Sequence, residues 1–499
     1  MATRLDADVI VVGGGNAGIS AALAASGSGA SVLLLEKAQA DAAGGNTYFT
    51  AGAYRTAHGG LEDLLPLLDE EATTLADRID LDAYTPDDYL ADLRRVTDYR
   101  SDPVLGRVLV DHSRETIGWL AGHGVRWTLM THRQAYESGG RFRFWGGLAL
   151  GTVDGGKGLY EDLGVAARAA GVQMRYGSPV SDLIVDADGR VTGVEVAGES
   201  GPVRLRARAV VLAAGGFQAD VGMRTRHLGP AWEHAKVRGT PDNTGDLLEP
   251  AIRAGAARAG DWGGAHATAW DPTGDGARGD RDLTNRMTKQ SYPVGIVINR
   301  EGERFLDEGA DFRNYTYAKY GVEVLNQPGA MAVQLFDAKT TPLLRQDEYT
   351  SPSVRMATGD SVREVFDALG VDPDRGEATV QAFNAAVRPG SFDPSVKDGL
   401  RTIGLSPDKS NWAQPLDTAP FVGFAVTCGI TFTFGGLRIG PEGHVLDDGG
   451  EPVPGLFAAG EIAGGLFFGN YPGGSGLMAG AVFGRRAGTA AGQLGVDAP

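Results

Sequence analysis

The chain has 499 residues, long enough for two or three domains around a sizeable core and a catalytic cleft. Lys and Arg number 46 against 63 Asp and Glu, a formal charge of −17 that argues against nucleic acid and anionic membrane surfaces as partners and leaves room for a locally basic pocket. The single cysteine, Cys428, excludes an internal disulfide, an iron–sulfur cluster built by this chain and a haem attachment pair, and it suits a reduced compartment.

Met1 to Asp8 carries three charged residues and leads straight into an apolar run, with no signal-peptide pattern. Nothing along the chain approaches the about 18 apolar residues of a membrane span, so the expected location is the cytoplasm. Val9 to Val12 reads as a buried strand and Ile19 to Ala25 as a helix. Between them, Gly13, Gly15 and Gly18 in the run Gly13-Gly14-Gly15-Asn16-Ala17-Gly18 fit the dinucleotide fingerprint: a tight turn, close backbone approach to a pyrophosphate, and close packing of helix on strand. The phosphates are expected at the helix N-terminus, where amides and dipole favour anions. A second strand, Ser31 to Leu35, ends at Glu36 and Lys37, close to the offset of about 20 residues at which an acid meets the ribose hydroxyls.

Gly44-Gly45-Asn46-Thr47 is a further small-residue loop, either another turn around the ligand or an ordinary surface turn. A mostly polar, helical insertion follows from Gly60 to about Gly124. A helix at Leu163 to Ala170 and three short strands, Val180 to Val185, Val191 to Val196 and Val203 to Arg208, come next. Ala209 to Leu212 is a buried strand running through Ala213 into Gly215-Gly216, suited to returning beneath the same ligand. From about Pro241 to Cys428 helices and short strands mix, as in an inserted substrate domain, before Gly455 to Ala459 completes the first domain.

At the far end, Gly460 and Glu461 follow that strand, the acid either bonding ribityl hydroxyls or capping a helix. Asn470 to Leu477, with Ser475, Gly476 and Leu477, opens a small-residue helix whose dipole would stabilise the anion formed on a reduced flavin. Only a long redox cofactor needs both ends of the chain.

These segments, with Arg141 to Gly147, Asn243-Thr244-Gly245-Asp246, Gly302 to Tyr317 and Thr427 to Leu437, resemble the FAD-dependent fumarate reductase and succinate dehydrogenase flavoprotein superfamily, and within it tricarballylate dehydrogenase-type proteins. The resemblance implies an α/β fold: a discontinuous Rossmann-like FAD-binding domain, residues 1–240 with a helical insertion at about 60–150 and residues 429–499, with an inserted α+β capping domain at 241–428. It implies non-covalent FAD, because no histidine lies near Gly44 to Thr50, and hydride transfer between a substrate carbon and flavin N5, with tricarballylate to aconitate as the nearest reaction.

The resemblance makes Arg313 the candidate proton donor, with Tyr315 and Tyr317 as rivals and Glu308 as a relay; alternatively Arg313 neutralises a substrate carboxylate. His266 stands where that family places a substrate-binding histidine, or is a satisfied buried residue. Tyr471 stands where fumarate reductases place a carboxylate-clamping arginine, and a phenol does not replace a bidentate guanidinium. Its Tyr-Pro-Gly segment is similar to that of 3-ketosteroid dehydrogenases, so a tyrosine acting on a less charged substrate is the second reading. Arg141 and Arg143 alternate with aromatics, which puts both cations on one face, suited to a polycarboxylate or merely solvated. Lys289 and Tyr292 are further pocket candidates. No metal site is expected. The partners that this resemblance implies are a small-molecule carboxylate substrate and a separate electron acceptor: protein, quinone or oxygen. A flavin electron carrier without its own substrate is the reading from a different class.

Overall fold

In the computed structural model, which describes residues 5–198, 201–351 and 354–496, the chain is built on a six-stranded sheet. The first four residues of the charged N-terminal stretch lie outside the described residues. From edge to edge the sheet runs His444–Leu446, Pro452–Ala458, Ala209–Leu212, Val9–Val12, Val32–Leu35 and Gln173–Arg175. The last five strands are parallel and the first is antiparallel. Its three central strands are unbroken apolar runs buried at every position, the pattern of strands covered on both faces.

Helix Asn16–Gly27 packs against the last helix, Ser475–Val496, and glycine makes the approach possible. A Cβ on Gly484 would stand 2.4 Å from the Ala17 carbonyl oxygen, and one on Gly488 2.1 Å from that of Ala21. This contact ties the two ends of the chain together. The three strands expected after residue 180 form an antiparallel sheet.

The insertion is helical where polar residues supply caps. Pro86–Val96 starts at a capping box of Thr85 and Asp88, and Pro103–Gly122 at Asp102, whose carboxylate accepts the Val104 and Leu105 amides at 2.8 and 3.0 Å. Beyond them Trp127–Leu129, Ala135–Ser138 and Arg141–Phe144 are strands.

A second sheet orders Lys236–Val237, Phe421–Leu437, Met331–Phe336 and Ile296–Asn299, with Arg258–Trp270 and Met356–Gly359 also paired to the long strand. Lys236 and Val237 pair with Gly429 and Ile430 of the long strand, which itself runs across residues 428 and 429. Phe421–Leu437 is one strand of 17 residues, buried at all but one position, and its last residue bridges to Ala463 beside the first sheet. No helix among the described residues is long and apolar enough to cross a membrane.

Candidate active site

One long cleft runs from Glu36 and Lys37, past Gly13 to Ala17, to Tyr471 and His266. At its nucleotide end the backbone does the work. Gly13 has φ +106°, and a Cβ there would lie 2.2 Å from the Ala213 carbonyl oxygen; one on Gly18 would lie 1.8 Å from that of Gly13. Gly15 precedes helix Asn16–Gly27 without a side-chain cap, which leaves the helix start open to an anion. Glu36 accepts the Gly14 and Ala38 amides at 2.7 and 2.8 Å, and its burial raises its pKa. Lys37 reaches Thr244 at 2.7 Å and Asp246 at 2.8 Å.

Asn16 knots three distant segments: its amide N–H donates to Thr47 Oγ1 at 2.9 Å, its Nδ2 to the Leu477 carbonyl at 2.8 Å, and its Oδ1 accepts the Tyr54 hydroxyl at 2.7 Å. Asn46 instead bridges to the second sheet, donating to the Thr431 carbonyl at 2.5 Å and accepting the Thr240 amide at 3.0 Å. Gly45, Ala213, Gly215, Gly460, Gly476 and Leu477 also line the cleft. Gly44, in the left-handed region at φ +112°, sets the turn from behind, and Ser475 is buried against the Tyr89 hydroxyl at 2.9 Å. Glu461 lines the cleft with its carboxylate accepting from Thr433 N–H at 2.9 Å and Asn243 Nδ2 at 3.1 Å, and burial pushes its pKa up to about 7.

The other end is assembled from side chains of many elements. Arg313 and Tyr317 sit one turn apart on helix Arg313–Leu325. His266, on strand Arg258–Trp270, pairs in register with Phe432. The Tyr317 and Tyr471 hydroxyls bond to each other, and the His266 ring stands 5.0 Å from each of their rings. Burial raises the pKa of both phenols, so both stay neutral and serve as donors. Burial also holds His266 well below the ordinary histidine value, and neither of its ring nitrogens has a partner.

Arg313 is buried and donates through Nη1 to Gln290 Oε1 at 2.7 Å, while Nε and Nη2 have no partner. Burial, together with nearby Arg345 and Arg133, pushes its pKa down to about 9. The relay expected from Glu308 is corrected: that carboxylate is taken by Arg304 at 2.5 Å. Its place beside Arg313 falls to Glu348, 3.8 Å from Arg313 and 2.8 Å from Arg133. Burial opposes ionisation of Glu348, but Arg133 and Arg313 hold its pKa below the usual value.

Several expected pocket residues lie elsewhere. Arg141 and Arg143 do alternate with aromatics, but they are half-exposed and reach Asp80 at 2.7 and 3.5 Å, which holds both at the edge of the insertion. Tyr315 turns to Asp92 and the Gly146 carbonyl. Lys289 is buried 3.5 Å from Asp271, Tyr292 bonds Thr316 at 2.7 Å, and neither lines the cleft; the neighbour Gln290 does. Arg133, Arg238, Asn285 and Gln290 line the substrate end and were not legible in sequence, since none belongs to a local motif.

A family model described as an FAD binding domain matches residues 8–477, and the chain belongs to that family, within the fumarate reductase and succinate dehydrogenase flavoprotein superfamily. Among its relatives, a fumarate reductase (cytochrome) of Shewanella frigidimarina is 28% identical over 484 residues, covering 96% of this chain and 76% of the relative. A urocanate reductase of Eggerthella lenta is 28% identical over 514 residues, covering 98% and 75%. The structure of a 3-ketosteroid delta1-dehydrogenase from Sterolibacterium denitrificans shares the fold, with a TM-score of 0.74 and 20% identity over 98% of this chain and 99% of that one. The cofactor is FAD, and the protein is an FAD-dependent oxidoreductase acting on CH–CH or C=C units. The glycine cradle, the open helix start and the continuous cleft fit that cofactor, with Glu36 at one end and the start of Ser475–Val496 at the other.

Proposed function

We propose that the enzyme oxidises a CH–CH bond beside a carboxylate, or reduces the corresponding alkene, on a small polycarboxylate of the tricarballylate type. The observation that carries this reading is Arg313: a buried guanidinium in the cleft with two nitrogens unpartnered. Buried cations require a counter-charge; Glu348 is shared between Arg313 and Arg133, and a substrate anion supplies the charge still missing. FAD, when bound, supplies two-electron acceptance or donation at flavin N5.

In the reductive direction Arg313 gives its proton to the substrate carbon; in the oxidative direction neutral Arg313 removes one. An arginine is ordinarily a fixed cation. Here burial and two neighbouring guanidinium groups lower the cost of losing the proton, and the ionised Glu348, 3.8 Å away, favours the cation that reprotonation restores. His266 is neutral and offers a ring N–H to a substrate oxygen, and the Tyr317 and Tyr471 pair offers its outer hydroxyl proton. In the oxidative direction electrons leave to a separate acceptor, a protein, a quinone or oxygen; in the reductive direction a separate electron donor must first reduce the flavin.

Anaerobic mixing with a panel of carboxylates, tricarballylate, succinate and fumarate's reduced analogues among them, tests the reading: at least one member should bleach the flavin, and bleaching by none removes this substrate class. The tyrosine pair favours one second reading, an apolar ketone substrate polarised by Tyr471. In that case a cyclic ketone bleaches the flavin and every carboxylate leaves the spectrum unchanged.

A further inference from the structure

Arg238 is a cation at the substrate end of the cleft that the proposed chemistry does not use. It follows the short strand Lys236–Val237, is buried, and lines the same end as His266 and Tyr471. Its backbone N–H is fixed on the Ile430 carbonyl at 2.8 Å. Nη1 donates to Thr431 Oγ1 at 2.7 Å, Nη2 donates to Asn285 Oδ1, and Nε has no partner. The Trp270 ring lies 6.0 Å from its Cζ.

These partners orient the guanidinium without neutralising it. Arg133 and Arg313 share Glu348, and Arg304 has Glu308. Among the described residues Arg238 is ion-paired with no carboxylate, and its electrostatic neighbours are the neutral phenols Tyr317 and Tyr471, Arg133 and the more distant Glu348. A charge buried in this way is strongly disfavoured unless a ligand supplies the opposite charge. Two neutral hydrogen bonds that lock its plane, with one N–H edge left open, make a preformed anion receptor.

We infer that Arg238 binds the carboxylate of the substrate, held in place by Thr431 and Asn285, so that Arg313 is free to serve as the proton donor. This assignment rests on the carboxylate reading and divides its labour: Arg238 sets affinity, Arg313 sets turnover. It also makes carboxylate recognition independent of position 471, where Tyr471 carries no charge.

The test uses the FAD-loaded enzyme with malonate, a non-reacting dicarboxylate, titrated by its perturbation of the flavin spectrum, alongside steady-state kinetics on whichever carboxylate bleaches the flavin. Arg238→Gln should weaken malonate about 100-fold and raise KM to match, with kcat within about tenfold of the parent, the range for removing one member of a buried charge pair. Arg238→Lys should recover part of the affinity, because it restores charge without the planar fork. FAD content and flavin reduction potential should stay as in the parent. Parent-like malonate affinity in Arg238→Gln overturns the assignment, as does a loss of FAD or a large shift in potential, which would place the counter-charge on the cofactor. If Arg238→Gln does not fold, Arg238→Lys decides: weakened malonate binding with FAD retained supports the assignment, unchanged binding overturns it. A parent enzyme that neither bleaches with nor binds any carboxylate defeats the underlying substrate reading instead.

Discussion

The two ends of the cleft solve opposite problems. At the nucleotide end nearly every polar group already has a partner: Glu36 holds two amides, Asn16 three segments, and Lys37 is bound to Thr244 and Asp246. That end is a finished mould whose shape is set by glycine. At the substrate end Arg313, Arg238 and His266 keep buried donors without partners. Unsatisfied buried polar groups destabilise the fold by about 1–3 kcal/mol each, so their presence in a cluster marks where a ligand completes the structure. The difference teaches that the cofactor site is legible as satisfied geometry and the substrate site as unsatisfied chemistry.

Breaking the substrate end at Arg313, the proposed proton donor, should have the largest effect. Arg313→Ala is expected to lower kcat by about 10³-fold, within the range for general acids, with FAD still bound and the flavin spectrum intact. The same residue fixes the pH dependence. Its acid form is complete at neutral pH and declines through about pH 9, so the reductive rate should fall by about tenfold per pH unit above that value, while the oxidative rate, which needs the base form, rises by the same factor per unit up to about pH 9 and levels off beyond it. Stopped-flow rates in both directions check this, and Arg313→Ala should abolish both limbs.

Breaking the mould should act on the cofactor and not on chemistry. Gly13→Ala places a methyl against the Ala213 carbonyl from a left-handed backbone, which is expected to destabilise the protein by about 1–3 kcal/mol and to release FAD. Retained flavin after gel filtration, with the thermal midpoint, measures it. Tyr471→Phe removes one hydroxyl from the Tyr317 pair; a fall in kcat of about tenfold is expected with a carboxylate substrate, measured by flavin bleaching rates, and a far larger one if the substrate is a ketone. The smallest effect is expected outside the cleft. Arg141→Ala and Arg143→Ala each remove a half-exposed ion pair with Asp80, which should alter stability by less than about 1 kcal/mol and leave KM unchanged.

The dinucleotide strand, loop and helix, the meander and the last helix were readable because each is a contiguous pattern: an apolar run, glycines at fixed spacing, then small residues. The second sheet was harder to delimit, since Phe421–Leu437 is one uninterrupted strand that serves both halves of the molecule. Arg141 and Arg143 show the limit of alternation as a guide. The pattern put both cations on one face, but Asp80, sixty residues earlier, decided what that face meets. Lys289 and Gln290 make the same point at the scale of a single residue, for the neighbour faces the cleft and the lysine is buried beside Asp271.

What sequence alone determined is the shape of the glycine loop between the first strand and the first helix, because backbone conformation there depends on the absence of Cβ atoms at Gly13 and Gly18, a property of residue type. Only the tertiary structure decided which cations are paired and which are open. Arg238, Arg313 and Tyr471 come from separate parts of the chain, and the charge state of each follows from burial and neighbours that no local spacing encodes.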